Sequence, residues 1–142
     1  DVIGSDNAPH LWWEKQGGAL KAVSGMPSIQ FSLVAVMELV KEGVISIEQL
    51  VQKMCHAPAL LYQIEKRGFI RPGYKADLVI LNPNAPWSVN DTCILSKCGW
   101  SPMEGQTFQS KVEKTFVNGT LVYDNGIVNE THRGEALKFA RS

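Results

Sequence analysis

No run of apolar residues approaches the roughly 20 that a bilayer-spanning helix needs, so no membrane association through a helix is expected. An excess of either charge is also missing. Lys plus Arg number 14 and Asp plus Glu number 14, which leaves nothing to neutralise a run of phosphates, and nucleic acid is not expected as a partner. Cysteine is scarce: Cys55, Cys93 and Cys98 form an odd set without C-x-x-C spacing. That argues against a disulfide framework and a zinc knuckle, and suits reduced thiols in a cytoplasmic protein. The first residues carry neither a basic stretch nor an apolar one, so no secretory signal is read there. The glycosylation sequons at Asn90, Asn118 and Asn129 are therefore read as chance matches. Phosphate-binding glycine loops, nucleophile motifs and paired carboxylates of glycosidase type are lacking too.

What is present suits a folded domain. With 44% apolar and 20% charged residues, the 142-residue chain can bury a core and does not have a disordered composition. It opens on Asp1-Val2-Ile3-Gly4-Ser5-Asp6, which reads as the end of a strand running into a functional loop, so a piece of a longer protein is expected. Residues 11–25, with Trp12-Trp13 and Gly17-Gly18, read as a loop with a short helical turn.

Helices are expected first. Phe31, Leu33, Val34, Met37 and Val40 recur at helical spacing over 28–41, with Ser28 as cap and Gly43 as stop, and the apolar residues on more than one side predict a well-buried helix. Ser46 with Gln49 makes a capping box for a second helix bearing Ile47, Leu50, Val51 and Met54. Pro58 is read as opening a further short turn over 59–62. The character changes near 63–68. Asp77 to Leu81 reads as a short buried strand, and Trp87 to Val89 as another. Residues 112–117 and 120–123 flank Asn118-Gly119, the pattern of a tight hairpin, and Ile127-Val128 starts a last edge strand. The tail, 135–141, reads as weakly helical. The strand-rich half is too short for a closed sandwich and is expected to need strands from elsewhere.

Asp6, Asn7 and His10 form the one polar cluster at the exit of a strand. An Asp there can hold a metal or accept a proton, and a nearby His can hydrogen-bond a substrate carboxylate. The competing reading is an Asx-turn in which Asp6 and Asn7 cap backbone. One Asp and one His are too few for a zinc site unless His56 and His132 join them. His56 reads as capping a helix end and His132 as solvent-exposed. The four tryptophans read as packing residues, with lining of a ligand pocket as the alternative; the four methionines read as filler.

Several segments resemble a known family. Ser5-Asp6-Asn7-Ala8-Pro9-His10 is similar to the Asp-x-Ala-Pro-His signature of dihydroorotases, cyclic amidohydrolases of the amidohydrolase superfamily. Gly25-Met26-Pro27-Ser28-Ile29-Gln30 resembles the glycine turn that follows it, and residues 53–59 its Asn-Pro-Ala helix segment. Residues 68–79 resemble the superfamily's Gly-x-Ile-x-x-Gly-x-x-Ala-Asp-Leu-Val segment; residues 96–105 and 115–119 resemble its closing Ser-Pro-x-x-Gly and Val-Asn-Gly segments. Two departures stand out: Asn7 occupies a position where the family often has His, and Ser24-Gly25 replaces Phe-Gly or Trp-Gly.

The resemblance implies an α/β fold: the C-terminal part of a (β/α)8 barrel over 1–64, then the C-terminal strands of a small composite β-sandwich and a tail over 65–142. It implies zinc-dependent, reversible hydrolysis of dihydroorotate to N-carbamoyl-aspartate, with a pair of zinc ions whose other ligands, a His-x-His pair, a carboxylated lysine and two further histidines, lie upstream. Asp6 would be the metal ligand and catalytic acid/base. His10 would bind the substrate carboxylate, and backbone at Ser24 and Gly25 would touch the ring. The implied partners are a small-molecule substrate and the missing N-terminal part of the same protein; a homo-oligomer is compatible with this. A hydantoinase- or allantoinase-type amidase and a non-catalytic dihydroorotase-like structural partner are the alternatives.

Overall fold

Helix capping organises the first half of the chain. In the computed structural model, which describes residues 1–140, a 3-10 turn at Ile29–Phe31 leads into helix α1, Ser32–Lys41. Ser28 does not cap it with its own side chain. The carboxamide of Asn7 does so instead: its Oδ1 accepts from the amides of Ser28 at 3.0 Å and Ile29 at 3.2 Å. Phe31, Val34 and Met37 are buried, whereas Leu39 is exposed, so α1 buries one stripe and is less enclosed than its composition suggests.

The expected capping box forms at α2, Ile47–Val51. The Ser46 hydroxyl accepts from the Gln49 amide at 3.2 Å, and the Gln49 side chain accepts from the Ser46 amide at 2.8 Å. Pro58 does not start a separate turn. The chain stays helical from α2 through a π-helical stretch, Gln52–His56, into α3, Ala57–Leu61. A proline inside a helix loses one amide and crowds the carbonyl four residues back; the wider π turn relieves that crowding. His56 thus lies within the helical run, not at its end. Its ring stacks on Phe69 at 4.3 Å, and its Nδ1 is 3.2 Å from Gln52 Oε1.

The second half is two small antiparallel sheets. Strand β1, Leu78–Asn82, pairs with β4, Lys111–Val117, which pairs with β5, Thr120–Asp124, and β5 with β6, Ile127–Val128. Strands β2, Trp87–Ser88, and β3, Thr107–Phe108, form the other sheet. The β4–β5 turn has Asn118 at φ 50° and Gly119 at φ 82°, the two left-handed residues that a tight hairpin requires. Arg67 ties this turn to the strand before it. Its guanidinium pairs with Asp77 and donates to Asn118 Oδ1 at 2.9 Å, while the Asn118 amide donates to Asp77 Oδ1 at 2.8 Å. The motif residues Asp77 and Asn118 therefore do structural work here.

The core lies between α1 and the β2–β3 sheet, where Phe31, Val34, Val89 and Phe108 pack together with Trp87. Strand β1 is not buried as expected: it is the edge of its sheet, and Val79 and Ile80, on opposite faces, are 49% and 46% exposed. The tail is not helical within the described residues. Phe139 forms an antiparallel bridge with Ile64, and the Glu65 amide donates to the Lys138 carbonyl at 2.9 Å; Arg141 lies outside the described residues. His132 is half-buried, not fully exposed, since its turn folds back onto the Asn129 side chain.

Gly68 locks the boundary between the two halves. It has φ 78°, and a Cβ there would stand 2.4 Å from the Ala59 Cβ and 2.7 Å from the Cys55 carbonyl oxygen. In the complete protein Gly68→Ala is expected to cost about 2 kcal/mol or more, from left-handed strain plus overpacking against backbone. Urea unfolding of the two forms measures this; a change below about 0.5 kcal/mol would contradict it.

Candidate functional site

The segment 5–10 is held against 25–28 by hydrogen bonds on both sides of Asp6. The Ser28 hydroxyl donates to the Ser5 carbonyl at 2.6 Å, Asn7 caps the amides of Ser28 and Ile29, and the Ala8 amide donates to the Met26 carbonyl at 3.0 Å. Asn7 and Met26 form an isolated parallel bridge. Val2 and Ile3, read from the sequence as a strand, take no strand partner among the described residues; the Ile3 amide instead donates to the Lys53 carbonyl at 3.0 Å.

Between its tethered neighbours, Asp6 has φ 46°, a left-handed backbone for a residue with a Cβ. It is exposed, and among the described residues its carboxylate has no hydrogen-bond or ion-pair partner. Neither residue makes the Asx-turn that the sequence allows: the Asn7 side chain caps the distant amides of Ser28 and Ile29, and the Asp6 carboxylate caps nothing among the described residues. A rigidly presented carboxylate with both oxygens free can bind a cation or accept a proton.

His10 is half-exposed, and its Nδ1 stands 3.6 Å from Glu14 Oε2. Its backbone is pinned from far along the chain: Trp100 Nε1 donates to the His10 carbonyl at 2.7 Å, and the Trp100 ring meets Trp12 edge-on at 5.5 Å. Trp12 and Trp13 are 60% and 69% exposed, so they are not core packing residues in this chain. Ser24 is exposed. Gly25 has φ 105°, and a Cβ on it would lie 2.5 Å from the Ala8 Cβ; only glycine permits this close approach of the two segments.

Beside Asn7, residues Pro27, Ile29, Gln30, Leu95 and Ser96 line an open depression of about 260 Å³. Gln30 holds the far wall, donating to the Cys93 carbonyl at 2.6 Å and accepting from the Leu95 amide at 2.9 Å. The sequence does not single out Glu14 or Lys15, and it offers Trp100 as a packing residue or pocket wall, not as a donor to the His10 carbonyl. Glu14 had a signal, since it falls four residues after His10 on one turn; Trp100, 90 residues away, had none.

Residues 1–122 match the amidohydrolase family. The chain belongs to that family. It corresponds to the C-terminal portion of dihydroorotases. It is 31% identical over 136 residues to the dihydroorotase of Pyrococcus furiosus, covering 96% of this chain and 32% of that protein. To the dihydroorotase of Clostridioides difficile it is 38% identical over 125 residues, covering 87% and 29%. The chain thus spans about a third of the length of the curated relatives it matches. Among solved structures, a D-hydantoinase superposes with a TM-score of 0.79 at 23% identity, over 89% of this chain and 29% of that one, a likeness of fold. The L-hydantoinase of Arthrobacter aurescens superposes with a TM-score of 0.68 at 30% identity, over 78% and 25%. This mixed α/β chain therefore has the fold of part of an amidohydrolase.

The donor set present does not amount to a metal centre. Among the described residues no three His, Cys, Asp or Glu side chains converge where they could hold a metal ion, so neither His56 nor His132 completes a site with Asp6 and His10. Asp6 is the carboxylate in this segment that has no protein partner among the described residues. Among the described residues, no helix is long and apolar enough to cross a membrane.

Proposed function

We propose that this chain is the C-terminal part of a dihydroorotase, which hydrolyses dihydroorotate reversibly to N-carbamoyl-aspartate. In this reading residues 1–64 complete a (β/α)8 barrel, and 65–142 give the C-terminal share of a composite β-sandwich. The exposed apolar edge of β1 suits that share, because further strands would cover it. The observation that carries the reading is the loop from Asp6 to His10: one carboxylate left free on a fixed backbone, and His10 a few residues on, whose backbone carbonyl accepts from Trp100.

Asp6 is the general base and acid. It accepts the proton of the attacking water and delivers it to the ring nitrogen as the amide bond breaks, so the carboxylate is regenerated in each cycle. A pair of zinc ions, held chiefly by upstream ligands with Asp6 contributing one, is the expected cofactor; when bound, it polarises the ring carbonyl and activates water. His10 hydrogen-bonds the substrate's carboxylate, and the Ser24–Gly25 backbone faces the ring. A cytoplasmic location and a small-molecule substrate belong to the same proposal.

The hydantoinase-type reading draws on the superposed structures, whose names describe hydantoinases. His10 discriminates between the two, because a neutral ring gives it no carboxylate to bind. In the complete protein His10→Ala is expected to lower kcat/KM for dihydroorotate roughly ten- to a hundredfold, the worth of a charge-assisted hydrogen bond. The loss for neutral dihydrouracil should be small. Equal losses on both substrates would remove His10 as the reader of the carboxylate and favour the neutral-ring amidase.

A further inference from the structure

The loop that carries Gly25 is closed onto the Trp12–Lys15 turn by one ammonium group and one backbone bond. Lys15 ends the 3-10 turn Trp12–Lys15, and its Nζ donates to the Gly25 carbonyl at 2.8 Å and to the Val23 carbonyl. Between these points the chain makes an excursion through Gly17 and Gly18, at φ 97° and 78°, and out to Leu20, which is fully exposed. The excursion has its own small turn, in which the amides of Lys21 and Ala22 return to the Gly18 carbonyl at 3.0 and 2.9 Å. Its return to the turn rests on the Lys15 ammonium and on one backbone bond, from the Val23 amide to the Glu14 carbonyl at 3.3 Å, while Met26, next to Gly25, is held separately by the Ala8 amide at 3.0 Å.

The same turn serves the other segment of the site. Glu14, next to Lys15, accepts from the Leu11 amide through Oε2 at 2.7 Å and brings that oxygen to the His10 ring. Adjacent side chains of one short turn therefore reach toward His10 on one side and Gly25 on the other. Lys15 is half-buried, and its ammonium donates to two carbonyl oxygens, so its charge is spent on placing backbone. Hydrogen bonds from a charged donor are roughly twice as strong as neutral ones. Gly25 in turn sits against Ala8 with no room for a Cβ, so a shift of one segment displaces the other.

We propose that Lys15 is a positioning residue: it holds the Gly25 backbone against Ala8, where that backbone can face the ring of a bound cyclic amide. The proposal rests on the reading of 5–10 and 24–25 as the substrate site, but not on the substrate being acidic. It differs from the role of His10 in a testable way. Backbone that faces the ring serves acidic and neutral rings alike, so loss of Lys15 lowers activity on both.

The test uses the complete protein with Lys15→Met and Lys15→Arg, assayed on dihydroorotate, dihydrouracil and hydantoin, together with amide hydrogen exchange over residues 16–25. Lys15→Met should lower kcat/KM roughly ten- to a hundredfold on every ring that the wild type hydrolyses, as expected for a misplaced binding group. It should speed exchange over 16–25 while leaving the melting temperature unchanged. Lys15→Arg, which keeps donors for both carbonyls, should retain most of the activity and the protection. A loss confined to dihydroorotate, activity within about twofold of wild type, or unchanged exchange would each overturn the proposal. If the wild type hydrolyses hydantoin but not dihydroorotate, the dihydroorotase reading fails and Lys15 is judged on hydantoin. If it hydrolyses none of the three, the exchange result alone decides whether Lys15 holds the segment.

Discussion

Asp6→Asn in the complete protein is expected to lower turnover of dihydroorotate at least about 10²-fold, the low end for a lost acid/base group, while leaving the fold intact. The choice of asparagine follows from the backbone. Asp6 has φ 46°, and Asn tolerates the left-handed region as well as Asp does, whereas Ala there would add strain and confuse chemistry with stability. The carboxylate also makes no hydrogen bond within the described residues, so exchanging it for an amide removes no structural contact. What the amide loses is the capacity to take up a proton and the negative charge offered to a metal. Steady-state kinetics with a thermal melt in parallel decides the matter. Less than about a tenfold loss would take Asp6 out of the mechanism, and a large drop in melting temperature would make it a structural residue.

The contrast between Asp6 and Asn7 shows where sequence reasoning reached its limit. Spacing alone marked both as polar residues at a segment exit, and either could have been a turn former. The structure separates them because Asn7 Oδ1 meets a helix N-terminus 21 residues further on, a contact that no local pattern encodes. Features set by neighbours in sequence were legible. The Ser46–Gln49 capping box, the hairpin around Asn118-Gly119 and the edge strand at Ile127-Val128 each depend on a few adjacent residues, and each formed.

Features set by packing were read less well. Pro58 looked like a helix start, but a π-helical stretch upstream accommodates it and the helix continues. Strand β1 is as apolar as a buried strand and yet lies at a sheet edge, since burial depends on what covers it. The composition of the tail reads as helical, whereas Phe139 forms an antiparallel bridge with Ile64. Of the candidate site, Asp6, His10 and Gly25 stand out in the sequence only through a motif that resembles that of dihydroorotases. The residues that hold them in place, Lys15 and Trp100, act through backbone carbonyls, which leave little mark on side-chain patterns.

The isolated 142-residue chain is expected to hydrolyse no cyclic amide, even with zinc added. A zinc site needs several converging protein ligands, and the described residues bring together no three suitable side chains. Without them Asp6 can accept a proton, but nothing polarises the ring carbonyl or activates water, and an unassisted carboxylate gives only a small part of an amidohydrolase's rate enhancement. The architecture points the same way. Val79 and Ile80 on the β1 edge, and Leu11, Trp12, Trp13 and Leu20 around the site loop, are exposed apolar surface in this chain. Surface of this kind is usually covered by further protein. The measurement is a time course of dihydroorotate and hydantoin hydrolysis by the purified chain, first alone and then mixed with the separately produced N-terminal remainder of the parent protein. No turnover alone and turnover on mixing is the expected pair of results. Turnover by the chain alone at the rate of the complete enzyme would mean that the catalytic ligands lie within these residues after all, and the assignment of Asp6 as a single contributed ligand would fall.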